Sequence, residues 1–231
     1  EAASSLAIDV QVKDPQGLQN SATITLQLKD VNEFAPAILD QSLAVDENRP
    51  GGTELGVVMA SDGDTAQTLQ FAILSGNTNS TFVIDPTSGK IKLSPNASLD
   101  YETTSKYSLR VEVTDSGQPA RTSAATVTID VRDLNEPPTQ ITLSNLTVSE
   151  NTAPAVVGNL QVQDPDVGET HTWISSDSRF EIEAGQLKLK AGRPLDFESE
   201  ASISLDVTAT DRGGLSLKSS FSIKVLDGND A

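Results

Sequence analysis

The sequence lacks the residues on which most catalytic and soft-metal sites depend. It has no cysteine and a single histidine, His171, among 231 residues. Disulfide bonds are therefore excluded, and a zinc site is not expected, because zinc takes His or Cys ligands. No Gly-x-Ser-x-Gly motif is present either, which leaves only carboxylate pairs as catalytic candidates. Because the same pairs recur along the chain, as shown below, we predict that the protein is not an enzyme.

Basic residues and long apolar runs are also scarce. Lys and Arg number 16 against 33 Asp and Glu, for a formal net charge of −17. Nucleic acid and anionic lipid surfaces are bound through basic patches, so neither is an expected partner. No apolar run approaches the roughly 20 residues of a membrane helix, so no direct membrane insertion is expected in this segment. An acidic chain of this kind suits a protein that gathers cations.

What the sequence does contain is an internal repeat. The stretches EAASSLAIDVQVKD, ETTSKYSLRVEVTD and ESEASISLDVTATD each begin with Glu and end with Asp at the same spacing, and each is followed by an Asp-x-Asn-acid motif. Repeats of this kind decide how the chain is divided. We predict the C-terminal part of a truncated repeat in 1–33, a complete repeat in 34–136 and another in 137–231.

Within each repeat the apolar residues alternate with polar ones. The pattern runs through Leu109, Val111 and Val113 in one repeat and through Ile203, Leu205 and Val207 in the next. Alternation marks strands with one buried face, and clusters of Gly, Pro, Asn and Asp separate them. No sustained helical period is found. About seven short strands in about 100 residues is typical of an Ig-like sandwich, so we predict an all-β chain of tandem sandwiches in an end-to-end array.

Acidic residues recur at corresponding places in the repeats. Since a strand of about six residues carries the chain from one end of a sandwich to the other, Glu47, Asp100 and Glu102 should gather at one end of their repeat. Asp62 and Asp64 should gather with Asp115 at the opposite end. Carboxylates at this density repel one another unless a cation lies between them. Only oxygen ligands are offered, which favours Ca²⁺ over zinc and, because so many protein oxygens are available, over Mg²⁺.

Five short motifs in fixed order resemble the cadherin repeat over essentially the whole chain. They are DENRPGG, ASDGD, LDYE, VEVTD and the linker DLNEPP in one copy, with SEN, QDPD, LDFE, TATD and DGND in the next; a further linker, DVNEFAP, precedes the first copy. The resemblance implies Greek-key sandwiches of seven strands, with up to three Ca²⁺ ions at each junction between repeats.

The family's ligand positions can be carried over to this sequence. The middle junction would use nine residues: Glu47, Asp100, Glu102, Asp133, Asn135, Glu136, Asp164, Asp166 and Asp211. The first junction would use seven: Glu1, Asp30, Asn32, Glu33, Asp62, Asp64 and Asp115. Phe34 and Pro137 replace the second Asn of the family's usual linker, and the Asn that usually follows the Asp doublet has no clear counterpart. We therefore expect two ions rather than three at the middle junction.

Two non-enzymatic functions remain open. The first is a calcium-dependent cell or surface adhesion module, located extracellularly or at the cell surface, whose partners could be another copy of itself, a cell-surface protein or a polysaccharide. The second is a passive calcium-stiffened stalk that presents another domain of a large surface protein. Phrases such as DPDVGETHTW are similar to the cadherin-like repeats of large bacterial surface proteins. His171 is expected to be a strand residue, partly exposed.

Overall fold

The computed structural model describes residues 5–64 and 67–228, and these residues form an almost entirely β structure. The one helical segment among them is a short 3-10 turn at Thr78–Ser80. The chain divides into two compact units between Asp133 and Leu134. No helix in the described ranges is long and apolar enough to cross a membrane. The all-β fold predicted from the alternating pattern is confirmed.

The first described residues form a β-hairpin. Strands β1 (Ser5–Lys13) and β2 (Gln19–Gln27) pair antiparallel in continuous register. The Asp14 carboxylate accepts a hydrogen bond from the Leu18 N–H at 2.8 Å and closes the turn, in which Gly17 adopts a φ of +93° that a residue with a Cβ rarely adopts. All residues of both strands are exposed, so the alternating pattern of 1–33 forms strands without a core of its own.

The first sandwich lies within residues 34–133. Its strands are β3 (Ala37–Ile38), β4 (Gln41–Asp46), β5 (Glu54–Val57), β6 (Ala60–Ser61), β7 (Leu69–Ser75), β8 (Phe82–Ile84), β9 (Lys90–Leu93), β10 (Lys106–Asp115) and β11 (Thr122–Arg132). They form a four-stranded sheet of order β4-β11-β10-β7, in which β4 is parallel to β11, a three-stranded sheet of order β5-β9-β8, and a separate short pair, β3-β6.

The second sandwich repeats this plan within residues 134–228. Its sheets have the orders β13-β19-β18-β15 and β12-β14-β17-β16, with β13 parallel to β19. The strands are β12 (Gln140–Leu143), β13 (Thr147–Ser149), β14 (Ala155–Gln163), β15 (Thr172–Ser175), β16 (Phe180–Glu183), β17 (Gln186–Leu189), β18 (Ser202–Thr210) and β19 (Ser216–Leu226). A single strand, β14, takes the course that β5 and β6 share in the first sandwich.

The alternating side chains of the long strands fill the two cores. Leu109, Val111 and Val113 of β10 are fully buried in the first sandwich, and Leu205 and Val207 of β18 are buried in the second. Each such side chain contributes about 1.5–3 kcal/mol by leaving water. The buried strands also fix where the acids lie, because a strand held in register by its core places the residue at its end.

Candidate metal centres

Three carboxylates come together at the end of the first sandwich where the chain leaves it. One ligand oxygen each from Glu47, Glu102 and Asp133 lie within 4.8 Å of one another, and we call these residues the first rear cluster. Glu47 directly follows β4 and is 1% exposed; its Oε2 accepts a hydrogen bond from the Tyr101 N–H at 2.7 Å. This bond links the buried Glu47 carboxylate to the segment that carries Glu102.

The second sandwich has a matching group. One oxygen each from Glu150, Glu198 and Asp227, the second rear cluster, also lie within 4.8 Å of one another. Glu150 is buried, and its carboxylate accepts hydrogen bonds from the N–H groups of Phe197 at 2.7 Å and Gly228 at 2.6 Å. The predicted ligand set omits this cluster, although the recurrence of Glu150 and Glu198 at the positions of Glu47 and Glu102 was the signal that could have found it.

Asp100 was predicted to share the first rear site, and the structure gives its carboxylate a local role. Its oxygens accept hydrogen bonds from the N–H and the hydroxyl of Thr103, both at 2.9 Å. The Thr103 N–H, followed by its hydroxyl, holds the pKa of Asp100 below its usual range. Asp196 and Ser199 form the same turn in the second sandwich. The ionised side chain thus orders the loop that presents the neighbouring Glu.

At the opposite end of the first sandwich, an asparagine clamps the aspartate that ends β10. The Asn32 amide donates to both carboxylate oxygens of Asp115 at 3.1 Å and to the Pro119 carbonyl at 2.8 Å. A Cβ on Gly117 would lie 2.2 Å from the Asn32 amide nitrogen, so only glycine leaves room for it. Burial acts to raise the pKa of Asp115, but the Arg121 N–H and the Asn32 amide outweigh it and keep the pKa low.

The second sandwich repeats this clamp with Asn135 and Asp211. The Asn135 amide donates to Asp211 Oδ2 at 3.0 Å, and a Cβ on Gly213 would lie 2.2 Å from Asn135 Oδ1. Burial again acts to raise the pKa of the aspartate, here Asp211, while hydrogen bonds from Asn135 and the Leu215 N–H lower it below its usual value. The two clamps place the Asn of each linker motif against the sandwich that follows it in the chain.

Beside each clamp lies an Asp-x-Asp doublet, and both doublets have the same hydrogen bond between their two aspartates. The Asp64 N–H donates to Asp62 Oδ1 at 2.9 Å, and the Asp166 N–H donates to Asp164 Oδ1 at 3.1 Å. The second aspartate of each doublet then accepts a linker N–H: Phe34 donates to Asp64 Oδ2 at 3.0 Å. Glu136 donates to Asp166 Oδ2 at 2.9 Å. We call the two doublets the first and second front sites.

The two front sites differ in what meets the remaining oxygens. In the first, Asp62 Oδ2, Asp64 Oδ1 and the neighbouring Gln67 Oε1 are buried with no hydrogen-bond partner among the described residues. In the second, His171 Nε2 lies 2.7 Å from Asp164 Oδ2, and both side chains are only 6% exposed. His171 as a whole is partly exposed, as expected, but its ring is buried against this carboxylate. The expectation that it is a strand residue was wrong, because it lies directly before β15.

The first front site fits a calcium ion by the chemistry of its donors. Calcium takes carboxylate and amide oxygens, and a buried oxygen without a partner is costly unless something binds it. The other predicted ligands of this region, Asp30 and Glu33, lie exposed on the linker. Glu1 lies outside the described residues. The structure therefore brings together Asn32, Asp62, Asp64 and Asp115 as neighbours of one site.

Several known proteins are similar to this chain over most of its length. The sequence model of the cadherin domain family matches residues 41–132. The chain is 33% identical to mouse protocadherin Fat 4 over 231 aligned residues, which cover 94% of this chain and 5% of that protein. It is 32% identical to mouse protocadherin-16, with 93% and 7% covered, and 30% identical to human protocadherin beta-1, with 100% and 30% covered. The chain thus spans a small part of these relatives.

Solved structures share the fold. The structure of PcdhgB3 EC1-4 superposes with a TM-score of 0.81 at 22% sequence identity, covering 98% of this chain and 58% of that chain. The crystal structure of mouse protocadherin-24 EC1-3 gives a TM-score of 0.70 at 23% identity, covering 97% of this chain and 80% of the other. At these identities the likeness establishes the tandem sandwich fold.

Proposed function

Since this chain belongs to the cadherin repeat family, we propose that it is a calcium-binding extracellular adhesion module whose acidic repeat ends are neutralised and ordered by Ca²⁺. The matched relatives are far longer than the chain, which covers 5% and 7% of the first two described above. The proposal therefore concerns what this segment contributes. Its two parts, calcium binding and adhesion, rest on different observations and have separate tests.

The observation that carries calcium binding is the set of buried oxygens at the first front site. Asp64 is 6% exposed, and its Oδ1, like Asp62 Oδ2 and Gln67 Oε1, has no hydrogen-bond partner among the described residues. Taking carboxylates out of water costs several kcal/mol unless an opposite charge compensates. A bound Ca²⁺ would supply that charge and accept these oxygens as ligands.

The two rear clusters support the same proposal. Each places three carboxylates within 4.8 Å of one another, and each holds one buried glutamate by a backbone N–H. Calcium would screen their mutual repulsion. In the first sandwich Glu47, Glu102 and Asp133 would hold it. In the second, the residues would be Glu150, Glu198 and Asp227. Further ligation by the remaining predicted residues stays a prediction: Asp30, Glu33, Asp100, Asn135, Glu136, Asp166 and Asp211.

Thermal unfolding of the whole chain tests calcium binding. Ligand that binds only the folded state stabilises it by about 2.7 kcal/mol at a concentration 100 times Kd. We expect Tm to rise when millimolar CaCl₂ replaces EDTA, and to rise much less with equal MgCl₂. The double variant D62N/D64N, which keeps the shape of both side chains, should lose part of the rise. An unchanged Tm in the unaltered chain would contradict calcium binding.

Adhesion is tested separately from calcium binding. Beads coated with the whole chain should aggregate, or attach to cells, in CaCl₂ and disperse in EDTA if the module binds a second copy or a surface partner. Beads that stay dispersed in both, from a chain whose Tm responds to calcium, would favour the passive stalk. The D62N/D64N variant serves as control, because its aggregation should require more calcium.

A further inference from the structure

The two front sites occupy equivalent positions, so they can be compared atom by atom. Strand β7 pairs with β10 so that Leu69 lies opposite Asp115. Strand β15 pairs with β18 so that Thr172 lies opposite Thr210, and His171 and Asp211 are the residues next to this pair in the chain. The Asp115 and Asp211 clamps are themselves equivalent. Position 171 of the second sandwich therefore corresponds to position 69 of the first, where the residue is leucine.

The first aspartate of each doublet uses Oδ1 in the same way. Asp62 Oδ1 accepts the Asp64 N–H, and Asp164 Oδ1 accepts the Asp166 N–H. Only Oδ2 distinguishes them. Asp62 Oδ2 is buried without a partner among the described residues, whereas Asp164 Oδ2 lies 2.7 Å from His171 Nε2. A carboxylate can only accept, so this contact requires the proton of the ring on Nε2.

From this contrast we infer that His171 takes, at the second front site, the place that a calcium ion takes at the first. The inference rests on the proposed calcium binding. With Oδ1 on a backbone N–H and Oδ2 on a buried imidazole, Asp164 has both oxygens engaged, and an arriving ion would have to displace the ring. A hydrogen bond to an ionised carboxylate is among the stronger ones. The second front site is thus closed by the chain's own side chain, and Asp164 leaves the set of predicted calcium ligands.

The pairing also accounts for the choice of residue at position 171. Leu69 contacts the first core and offers no donor, which leaves the oxygens of the first doublet to an external ligand. His171 keeps an apolar face and lies 6.5 Å, centroid to centroid, from Trp173, which packs against the second core. One side chain can therefore fill the position and still donate to Asp164. The same sandwich fold thus carries a front site that needs an ion in the first unit and a front site that needs none in the second.

Native mass spectrometry of the whole chain in calcium can count the bound ions in three forms: unaltered, H171L and L69H. We expect H171L, which copies the first sandwich, to bind one more Ca²⁺ than the unaltered chain, and L69H to bind one fewer. In EDTA, H171L should also lower the Tm of its sandwich by at least about 5 °C, because Asp164 loses its donor.

The outcomes separate this inference from the proposed function. If the unaltered chain binds calcium and H171L binds the same number, the inference fails alone. If H171L binds one ion fewer, His171 is itself a ligand and the inference is equally overturned. If the unaltered chain binds none, the proposed function fails, and the inference that rests on it fails with it. If H171L fails to fold, L69H still tests the inference, because an L69H chain that binds as many ions as the unaltered chain would contradict the inference.

Discussion

The two sandwiches hold their aspartates with the same kinds of hydrogen bond, and they differ in what compensates the negative charge of these aspartates. Both clamp an aspartate with a linker asparagine over a glycine, through Asn32 and Gly117 in the first and Asn135 and Gly213 in the second. Both close the Asp-x-Asp doublet with the same backbone bond. The first doublet keeps buried oxygens unpartnered among the described residues, whereas the second meets His171.

If the proposed calcium binding holds, fold and ion dependence are set by different residues. The apolar alternation determines where the strands lie, and the glycines and asparagines determine where the aspartates point. One residue outside the acidic motifs, leucine or histidine, would then decide whether an external cation is needed. Two repeats with nearly the same acidic motifs can therefore respond differently to calcium, and the following variants test that comparison in order of decreasing effect.

The largest effects should be equal in the two sandwiches. L109A and L205A each remove a fully buried side chain of a long strand. We expect each to lower the free energy of unfolding of its own sandwich by about 2–5 kcal/mol, with or without calcium. Urea unfolding, monitored by hydrogen exchange in each of the two units, measures these free energies of unfolding. A loss in one sandwich that calcium abolishes would show that the cores themselves differ.

The asparagine clamps should matter next, and unequally. N32A removes the donor to Asp115, the bond to Pro119 and the acceptor of the Gln67 amide. N135A removes chiefly the bond to Asp211. Leaving a buried carboxylate short of a donor costs about 1–3 kcal/mol, so both should destabilise in EDTA, N32A more. The same measurement applies, and equal losses would mean that the extra bonds of Asn32 contribute nothing.

Replacing the first aspartate of each doublet by asparagine should change stability in EDTA differently in the two sandwiches. D62N removes a buried charge and should leave stability in EDTA unchanged or higher, while reducing the stabilisation by calcium. D164N removes the charged acceptor of His171 and should cost roughly 1 kcal/mol in both conditions. Chemical unfolding of each variant in EDTA and in CaCl₂ gives four values. Matching signs for the two variants in EDTA would break the comparison.

The smallest effect concerns acid sensitivity of the loops before β8 and β16. In the first sandwich neutral Asn77 bonds the Phe82 backbone, whereas in the second Arg179 bonds Asp177 and Glu200. The side-chain hydrogen bond from Arg179 lowers the pKa of Asp177 below its usual range. A lowered pKa gives stability that is complete above the ordinary value and is lost as pH falls through the lowered one. We expect D177N to lose roughly 1 kcal/mol at pH 7 and nothing near pH 2.

That pH prediction is checked by unfolding in EDTA at both values. The matched control is N77D, which adds a carboxylate to the first sandwich at a loop without the arginine, and it should not reproduce the pH dependence. A loss in D177N that is the same at pH 7 and at pH 2 would contradict the assigned ion pair.

Much of the fold followed from the sequence because its signals are local. The alternation of Leu109, Val111 and Val113 predicts a strand with one buried face, and β10 confirms it. The division of β5 from β6, where the second sandwich has a continuous β14, was not predicted, and the strand partners are equivalent in the two sandwiches.

The site was less accessible to sequence reasoning, for a physical reason. Acid positions indicate which carboxylates converge, yet they do not say which oxygen is already engaged. Asp100 turns to Thr103, and Asp164 turns to His171, through side-chain rotations that spacing does not encode. His171 was read as a strand residue since it sits at the edge of an alternating segment, and only its inward rotamer brings it to Asp164.

The most direct test of the account is a crystal structure of the whole chain grown in CaCl₂, with anomalous scattering used to identify the ions. The account predicts an ion bound by Asp62 and Asp64, ions at the rear clusters, and none on Asp164, whose Oδ2 keeps its contact with His171. An ion on Asp164 with the imidazole displaced, or no ion at Asp62 and Asp64, would contradict it.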